Sequence, residues 1–311
     1  VSAVFEEYLA DYLRLRRIMG HRLARHEELI RAFLVEHEGA GGTSVTTGAA
    51  LTFATRPQGT SARWHASRLN VVRDFARYVH AQDPALAELI PPGLIRARVT
   101  RGVPYIYSPS QISELMATAR SLIGGLRGET LRCVIGLMAT TGLRVSECVA
   151  LDNADVDLVE GVLRVTGKRA NLRLVPLHPT TTEALRRYRH TTLTLAGSDK
   201  TDAFFRTTLA TRPHPSALQQ GFRRVSTHLG YSARPGGSLP RLHDLRHAFA
   251  TSTLVRAHRE GRDVEREVAL LATYLGHVSP VSTYWYLTAV PELLELAAKR
   301  VAVMAPGRLL P

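Results

Sequence analysis

The stretch LGHVSPVSTYWYL, residues 275–287, sets His277 nine residues ahead of Tyr286, with Tyr284 and Trp285 between them. A tyrosine hydroxyl beside an imidazole is a nucleophile with a proton-handling neighbour. The same run of aromatic rings also suits a packed core, and the stretch alone does not choose between the two. Three further stretches carry reactive side chains. HDLRH, 243–247, puts His243 and Arg246 three apart, so on a helix they share a face and hold an imidazole beside a guanidinium. His243 and His247 have metal-ligand spacing, but no H-E-x-x-H pattern or third ligand set accompanies them. His247 therefore reads as packing or hydrogen bonding within its helix. TGLRVSE, 141–147, places Arg144 three residues before Glu147, close enough to pair, and TGKRANLRLVPL, 166–177, carries Lys168 in a basic turn.

Composition narrows the partners. The chain has 311 residues, a formal net charge of +13 and 45% hydrophobic residues, which is the make-up of a globular protein with one large or two ordinary cores. Such a charge points first to nucleic acid and second to an anionic membrane surface. The charge is spread over folded-looking segments, without a basic tail, which favours a broad DNA-binding surface. No apolar run approaches the roughly 20 residues that span a bilayer, and the start has no signal-peptide pattern; a cytoplasmic, nucleoid-associated protein is expected. Two cysteines, Cys133 and Cys148, are too few for a disulfide framework or thiolate metal site and read as buried thiols. Of the 40 basic residues only Lys168, Lys200 and Lys299 are lysine. Arginine is the default cation of this chain, so a lysine asks for a chemical reason.

Hydrophobic spacing supplies the elements that must position these groups. Residues 4–38 read as helix in two runs, and EGAGGTS then ends the pattern. A third helix is expected over 60–81, with Leu69, Val72, Phe75, Ala76 and Val79 on one face and Arg63, Arg68, Arg73 and Arg77 on the other. The proline- and arginine-rich stretch 84–109 reads as a linker. SPSQISELMATAR restarts a helix capped by Ser108 or Ser110. Residues 129–150 read as an apolar helix, a tight turn at Thr141–Gly142 and a second helix. Residues 157–177 switch to a β-hairpin with a basic tip, and helical patterning returns beyond 178. The fold class is mainly α: a helical N-terminal domain over 1–88, a linker over 89–107, and a larger mostly helical domain with a small antiparallel sheet over 108–311.

At these stretches, from about 110 to 300, the chain resembles the tyrosine recombinases, or phage-type integrases. Their pattern is an arginine in T-G-L-R-x-S-E, a lysine in a hairpin, an H-x-x-R pair, an L-G-H histidine and a tyrosine nine residues on. This sequence supplies Arg144, Lys168, His243, Arg246, His277 and Tyr286 in that order. The resemblance implies a SAM-like core-binding N-terminal domain, a catalytic domain with a helical tail, and strand cutting and rejoining through a 3′-phosphotyrosine, without metal, ATP or other cofactor. Arginine suits the transition state because its planar fork binds two phosphate oxygens and never deprotonates. Lys168 suits the general acid, since an ammonium gives up a proton where a guanidinium does not. The family spacing selects Tyr286 over Tyr284 as the nucleophile; two residues apart on a helix, the two cannot face the same phosphate. Glu147 supports Arg144, and Arg63, Arg68, Arg73, Arg77 and Arg169 are candidate DNA-backbone contacts. The implied partners are double-stranded DNA and further copies of the chain, a dimer per site and a tetramer in synapsis, with no membrane. Rival readings are a type IB-like topoisomerase and a DNA-binding accessory protein with an inactive site.

Two segments depart from the family pattern. VRAHREGRDVERE, 255–267, is a charged surplus that reads as an exposed helix extension. The amphipathic stretch after Tyr286 resembles tails that dock on a neighbouring protomer. Both are more similar to mobile-element integrases than to chromosome-dimer resolvases.

Overall fold

The computed structural model describes residues 2–21, 23–97, 103–167, 171–196, 201–233 and 238–276. The chain divides into two compact units, 1–101 and 102–311.

Four helices build the first unit: α1 (Ala3–Ile18), α2 (Ala24–Gly39), α3 (Thr47–Thr55) and α4 (Ala62–Gln82). Apolar residues at helical spacing face one another. Phe5, Leu9, Tyr12 and Leu13 of α1 meet Ile30, Phe33 and Leu34 of α2 and Leu69, Val72, Phe75, Ala76 and Val79 of α4. Side chains of Ser2, Thr46 and Ser61 cap α1, α3 and α4 by accepting the backbone N–H three residues on. Helix α3 has no counterpart in the hydrophobic reading. It is nine residues long, its apolar stripe is short, and Thr46 is its clearest signal. The stretch after α4 is also not free chain: Ala87 and Ile90 are buried in this core, and Val45 and Ala87 form a parallel bridge.

In the second unit α5 (Pro109–Thr118) starts from a capping box in which Ser108 accepts the N–H of Gln111 and Gln111 reaches back to Ser108. A π-helical turn, 119–123, leads into α6 (Gly125–Thr141), and α7 (Val145–Ala150) follows. α6 is the central element, packed by α5, α8 (Pro179–Ala196), α9 (Pro215–His228) and α10 (Asp244–Arg259). Tyr105 and Tyr107, from the proline-rich stretch, are buried in this second core.

Strands β1 (Val156–Asp157), β2 (Val162–Thr166) and β3 (Leu172–Pro176) form an antiparallel sheet in the order β1-β2-β3. In the β2–β3 register Leu163 faces Val175, and Val165 faces Arg173. The burial alternates strictly. Leu163, Val165 and Val175 point inward, whereas Leu172 and Leu174 are 62% and 63% exposed.

The charged stretch 255–267 is not one extended helix. α10 ends at Arg259, Gly261 turns with φ +70°, and Asp263 caps α11 (Val264–Leu275) through the N–H groups of Glu265 and Arg266. A glycine at a positive φ ends one helix and an aspartate begins the next. Val255, Val268, Leu271 and Leu275 then pack the two helices together.

Candidate active site

The turn after α6 comes first. Gly142 terminates the helix with φ +63°, and a Cβ there would stand 2.6 Å from Phe249 Cδ1 and 2.7 Å from Leu275 Cδ2. Glycine is required by conformation and by space. Helices α10 and α11 therefore close directly onto this turn. Arg144 follows in extended conformation at the N-cap of α7 (φ −76°, ψ 149°). Glu147 reaches back to it twice, accepting the Arg144 backbone N–H at 2.9 Å and the Arg144 Nη1 at 2.8 Å. Arg144 keeps 26% of its side chain exposed, while Glu147 keeps 6%.

Arg246 joins three stretches that are distant in sequence. From the first turn of α10 it donates Nη1 to the Gly142 carbonyl and Nη2 to the Leu275 carbonyl, both at 2.7 Å. It is 1% exposed and is the largest of the fully buried side chains described. The two bonds fix the plane of the guanidinium, and each terminal nitrogen carries a second N–H. Arg246 thus holds together the turn that leads to Arg144, the helix that begins at His243, and the end of α11, two residues before His277.

His243 occupies the N-cap position of α10 and keeps an exposed edge. Partial burial, first, and then the charge of Arg246 push its pKa below the ordinary 6.5; Asp244 opposes this, and Arg241 and Arg144 add to it. Burial and the charges of Arg246 and Arg144 thus favour its neutral form. The buried Asp244 accepts the Arg241 backbone N–H and pairs with the Arg241 guanidinium, each at 2.8 Å, which locks the start of the helix. The rings of His243 and His247 meet edge to face, 5.0 Å between centroids.

Glu147 has a second arginine partner that sequence reasoning missed. Arg173 of β3 donates Nη2 to Glu147 Oε2 at 2.9 Å and Nη1 to Oε1 at 3.2 Å. Burial pushes the Glu147 carboxyl up, but the Arg173 hydrogen bond, the Arg144 backbone N–H and the charges of both arginines outweigh it and hold the pKa below 4.5. The available signal was the strand alternation: Arg173 shares the inward face with Val175, an unusual place for a cation without a partner.

Arg144, Glu147, His243 and Arg246 are thus described. Lys168, Arg169, His277, Tyr284 and Tyr286 lie outside the described residues. On α4, Arg63 and Arg77 are exposed, and Arg77 pairs with Asp74 at 3.0 Å; Arg73 is half-buried. Arg68 differs from the expected exposed face. Its guanidinium stacks on Phe53 (3.9 Å) and Trp64 (4.7 Å) and donates to the Phe53 carbonyl at 3.1 Å. Its apolar stem and planar head fit that aromatic slot, so it serves the packing of the first unit.

Comparison with known proteins gives the chain a family. The sequence model of the phage integrase family matches residues 107–292. A Sinorhizobium fredii chain named integrase/recombinase y4rB is 36% identical over 96% of this chain and 97% of its own length. Tyrosine recombinase XerD of Xanthomonas campestris pv. campestris is 32% identical over 75% of this chain and 70% of its own. Among solved structures, the Tn1549 transposon integrase in complex with transposon right end DNA has the same fold at 17% identity, with a TM-score of 0.64 over 96% of this chain and 99% of that one. A lambda integrase dimer bound to a COC′ core site gives a TM-score of 0.60 at 18% identity, covering 90% of this chain and 76% of that one. The chain belongs to the phage integrase family, the tyrosine recombinases, which are DNA strand-transferring enzymes.

Proposed function

We propose that this recombinase cuts and rejoins DNA at specific sites with Tyr286 as the nucleophile. The Tyr286 Oη attacks a phosphodiester phosphorus, and the bond from phosphorus to the 5′-oxygen breaks. A 3′-phosphotyrosine and a free 5′-hydroxyl result. Arg144 and Arg246 neutralise the non-bridging oxygens as charge builds in the transition state. The neutral His243 takes up the tyrosyl proton, His277 hydrogen-bonds the phosphate, and Lys168 protonates the leaving oxygen. Attack by a 5′-hydroxyl from another strand reverses the step and seals the new joint, so the bond energy is conserved without ATP. The strands come from double-stranded DNA bound by a dimer at each site and a tetramer in synapsis, on a mobile element, in the cytoplasm.

The observation that carries this reading is the Arg246 bridge to Gly142 and Leu275. It ties the turn before Arg144 and the end of α11 to the first turn of α10, and so supports a reading in which one phosphate is met from these stretches. Replacing Lys168 tests the assignment of acid. Lys168→Ala should cut an ordinary duplex slowly, by about 10²–10⁴-fold, yet recover on a duplex with a sulfur leaving group, because a thiolate departs without a proton. Equal loss on both substrates would remove Lys168 from that role.

A further inference from the structure

Each oxygen of the Glu147 carboxylate accepts one hydrogen bond from Arg144 and one from Arg173. Oε1 takes Arg144 Nη1 at 2.8 Å and Arg173 Nη1 at 3.2 Å, and Oε2 takes the Arg144 backbone N–H and Arg173 Nη2, both at 2.9 Å. This carboxylate is almost wholly buried, so its charge is shared between the two arginines and little with water. With Arg144 alone the pair would be neutral, and the positive charge meant for a phosphate would be spent on Glu147. With both arginines the cluster carries a net +1, and the side exposed to solvent is that of Arg144, at 26% against 15% for Arg173.

Arg173 touches the neighbouring motifs as well. A Cβ on Gly276, which sits at φ +65°, would come within 3.0 Å of Arg173 Nη1 and 3.4 Å of its Cζ. The residue before His277 therefore packs closely against this guanidinium. A Cβ on Gly167, the residue before Lys168, would be 3.5 Å from the same Nη1. The Arg173 Nε is buried and finds no hydrogen-bond acceptor among the described residues. That orientation directs both terminal nitrogens to Glu147.

We propose that Arg173 is a positioning residue of the strand-transfer site: it balances the Glu147 charge so that Arg144 stays available to the scissile phosphate, and it seats the turn that leads to His277. This rests on the recombinase reading above. Arg173 itself touches no substrate atom in the proposal.

The test is single-turnover cleavage of a nicked suicide duplex carrying the end of the DNA element that encodes the protein. Full-length wild type, Arg173→Gln, Arg173→Lys and the double variant Glu147→Gln/Arg173→Gln are compared, with folding checked by thermal melting and DNA affinity measured separately. Arg173→Gln should cut about 10- to 100-fold more slowly, the usual range for groups that orient a catalytic ligand, with DNA affinity within about 3-fold because the contact is not to DNA. Arg173→Lys should fall between it and wild type, keeping the charge without the fork. The double variant should cut faster than Arg173→Gln, since the carboxylate that would capture Arg144 is gone. A purely structural ion pair predicts an unchanged rate per folded molecule in Arg173→Gln, and a double variant no faster than the single; either result overturns the proposal. If Arg173→Gln does not fold, the rates of Arg173→Lys and the double variant decide it, because wild-type speed in Arg173→Lys together with a slow double variant contradicts charge balancing. Failure of wild type itself to form an adduct would sink the recombinase reading, and this proposal with it.

Discussion

The turn at Gly142 is where the fold and the chemistry depend on the same atoms, and one substitution measures how tightly. In Gly142→Ala the new Cβ suffers twice. The left-handed backbone conformation at φ +63° costs an L-residue about 1–2 kcal/mol. The contacts at 2.6 and 2.7 Å with Phe249 and Leu275 add the cost of overpacking, about 1–3 kcal/mol. Gly230→Ala is the control, because Gly230 has φ +71° and nothing within 4 Å of its Cβ position. It bears the conformational cost alone. The difference between the two variants is then the steric part, which for a unit of this size corresponds to roughly 2–12 °C in melting temperature. Calorimetry of the full chain reads both. Because Arg246 donates to the Gly142 carbonyl, Gly142→Ala should also slow DNA cleavage per folded molecule, while Gly230→Ala should not. Equal melting shifts, or normal cleavage by Gly142→Ala, would refute the claim that α10 and α11 close on this turn to set the site.

Glu147→Gln strips the shared carboxylate and should destabilise the protein by roughly 2–4 kcal/mol at neutral pH, toward the low end for breaking a buried pair because Arg144 is partly exposed. The folded carboxyl has a pKa below its unfolded 4.5, so the unfolded chain binds more protons in that window; the gap between variant and wild type should be constant above about pH 5 and close as pH falls through the folded value. Urea unfolding at several pH values checks this, and a gap independent of pH would contradict it. His243, with its pKa held below 6.5, should impose an acidic limb on the cleavage rate whose midpoint lies under that value. Single-turnover rates over about pH 5 to 8 should show the limb in wild type and lose it in His243→Gln; a limb that persists belongs to another group.

Much of this site was legible from the chain because its parts are local motifs. The helix–glycine–helix of 129–150, the hairpin of 157–177 and the pairing of Arg144 with Glu147 all follow from spacing within a few residues. The face of α4 was legible too, since Leu69, Val72, Phe75, Ala76 and Val79 repeat over several turns. What stayed hidden depends on tertiary contact. Nothing in HDLRH says that Arg246 will bind the carbonyls of residues 142 and 275. Nothing in LRLVPL names Glu147 as the partner of Arg173, though the strand period flags its inward position. α3 escapes because nine residues give too few turns for a periodic stripe, and the stretch 255–267 reads as one helix because its lone Gly261 sits among many helix-forming charged residues. Arg68 reads from the sequence as solvent-facing because helical phase alone does not reveal the aromatic slot made by Phe53 and Trp64.

The central claim is covalent attack on DNA by Tyr286, and the most direct test is a nicked suicide duplex taken from the DNA flanking the gene, incubated in EDTA with wild type and with Tyr286→Phe. A protease-sensitive, SDS-resistant protein–DNA band is expected with wild type and none with Tyr286→Phe, which should still bind the duplex. A band of normal yield with Tyr286→Phe would contradict it and move the nucleophile, with Tyr284 the next residue to replace.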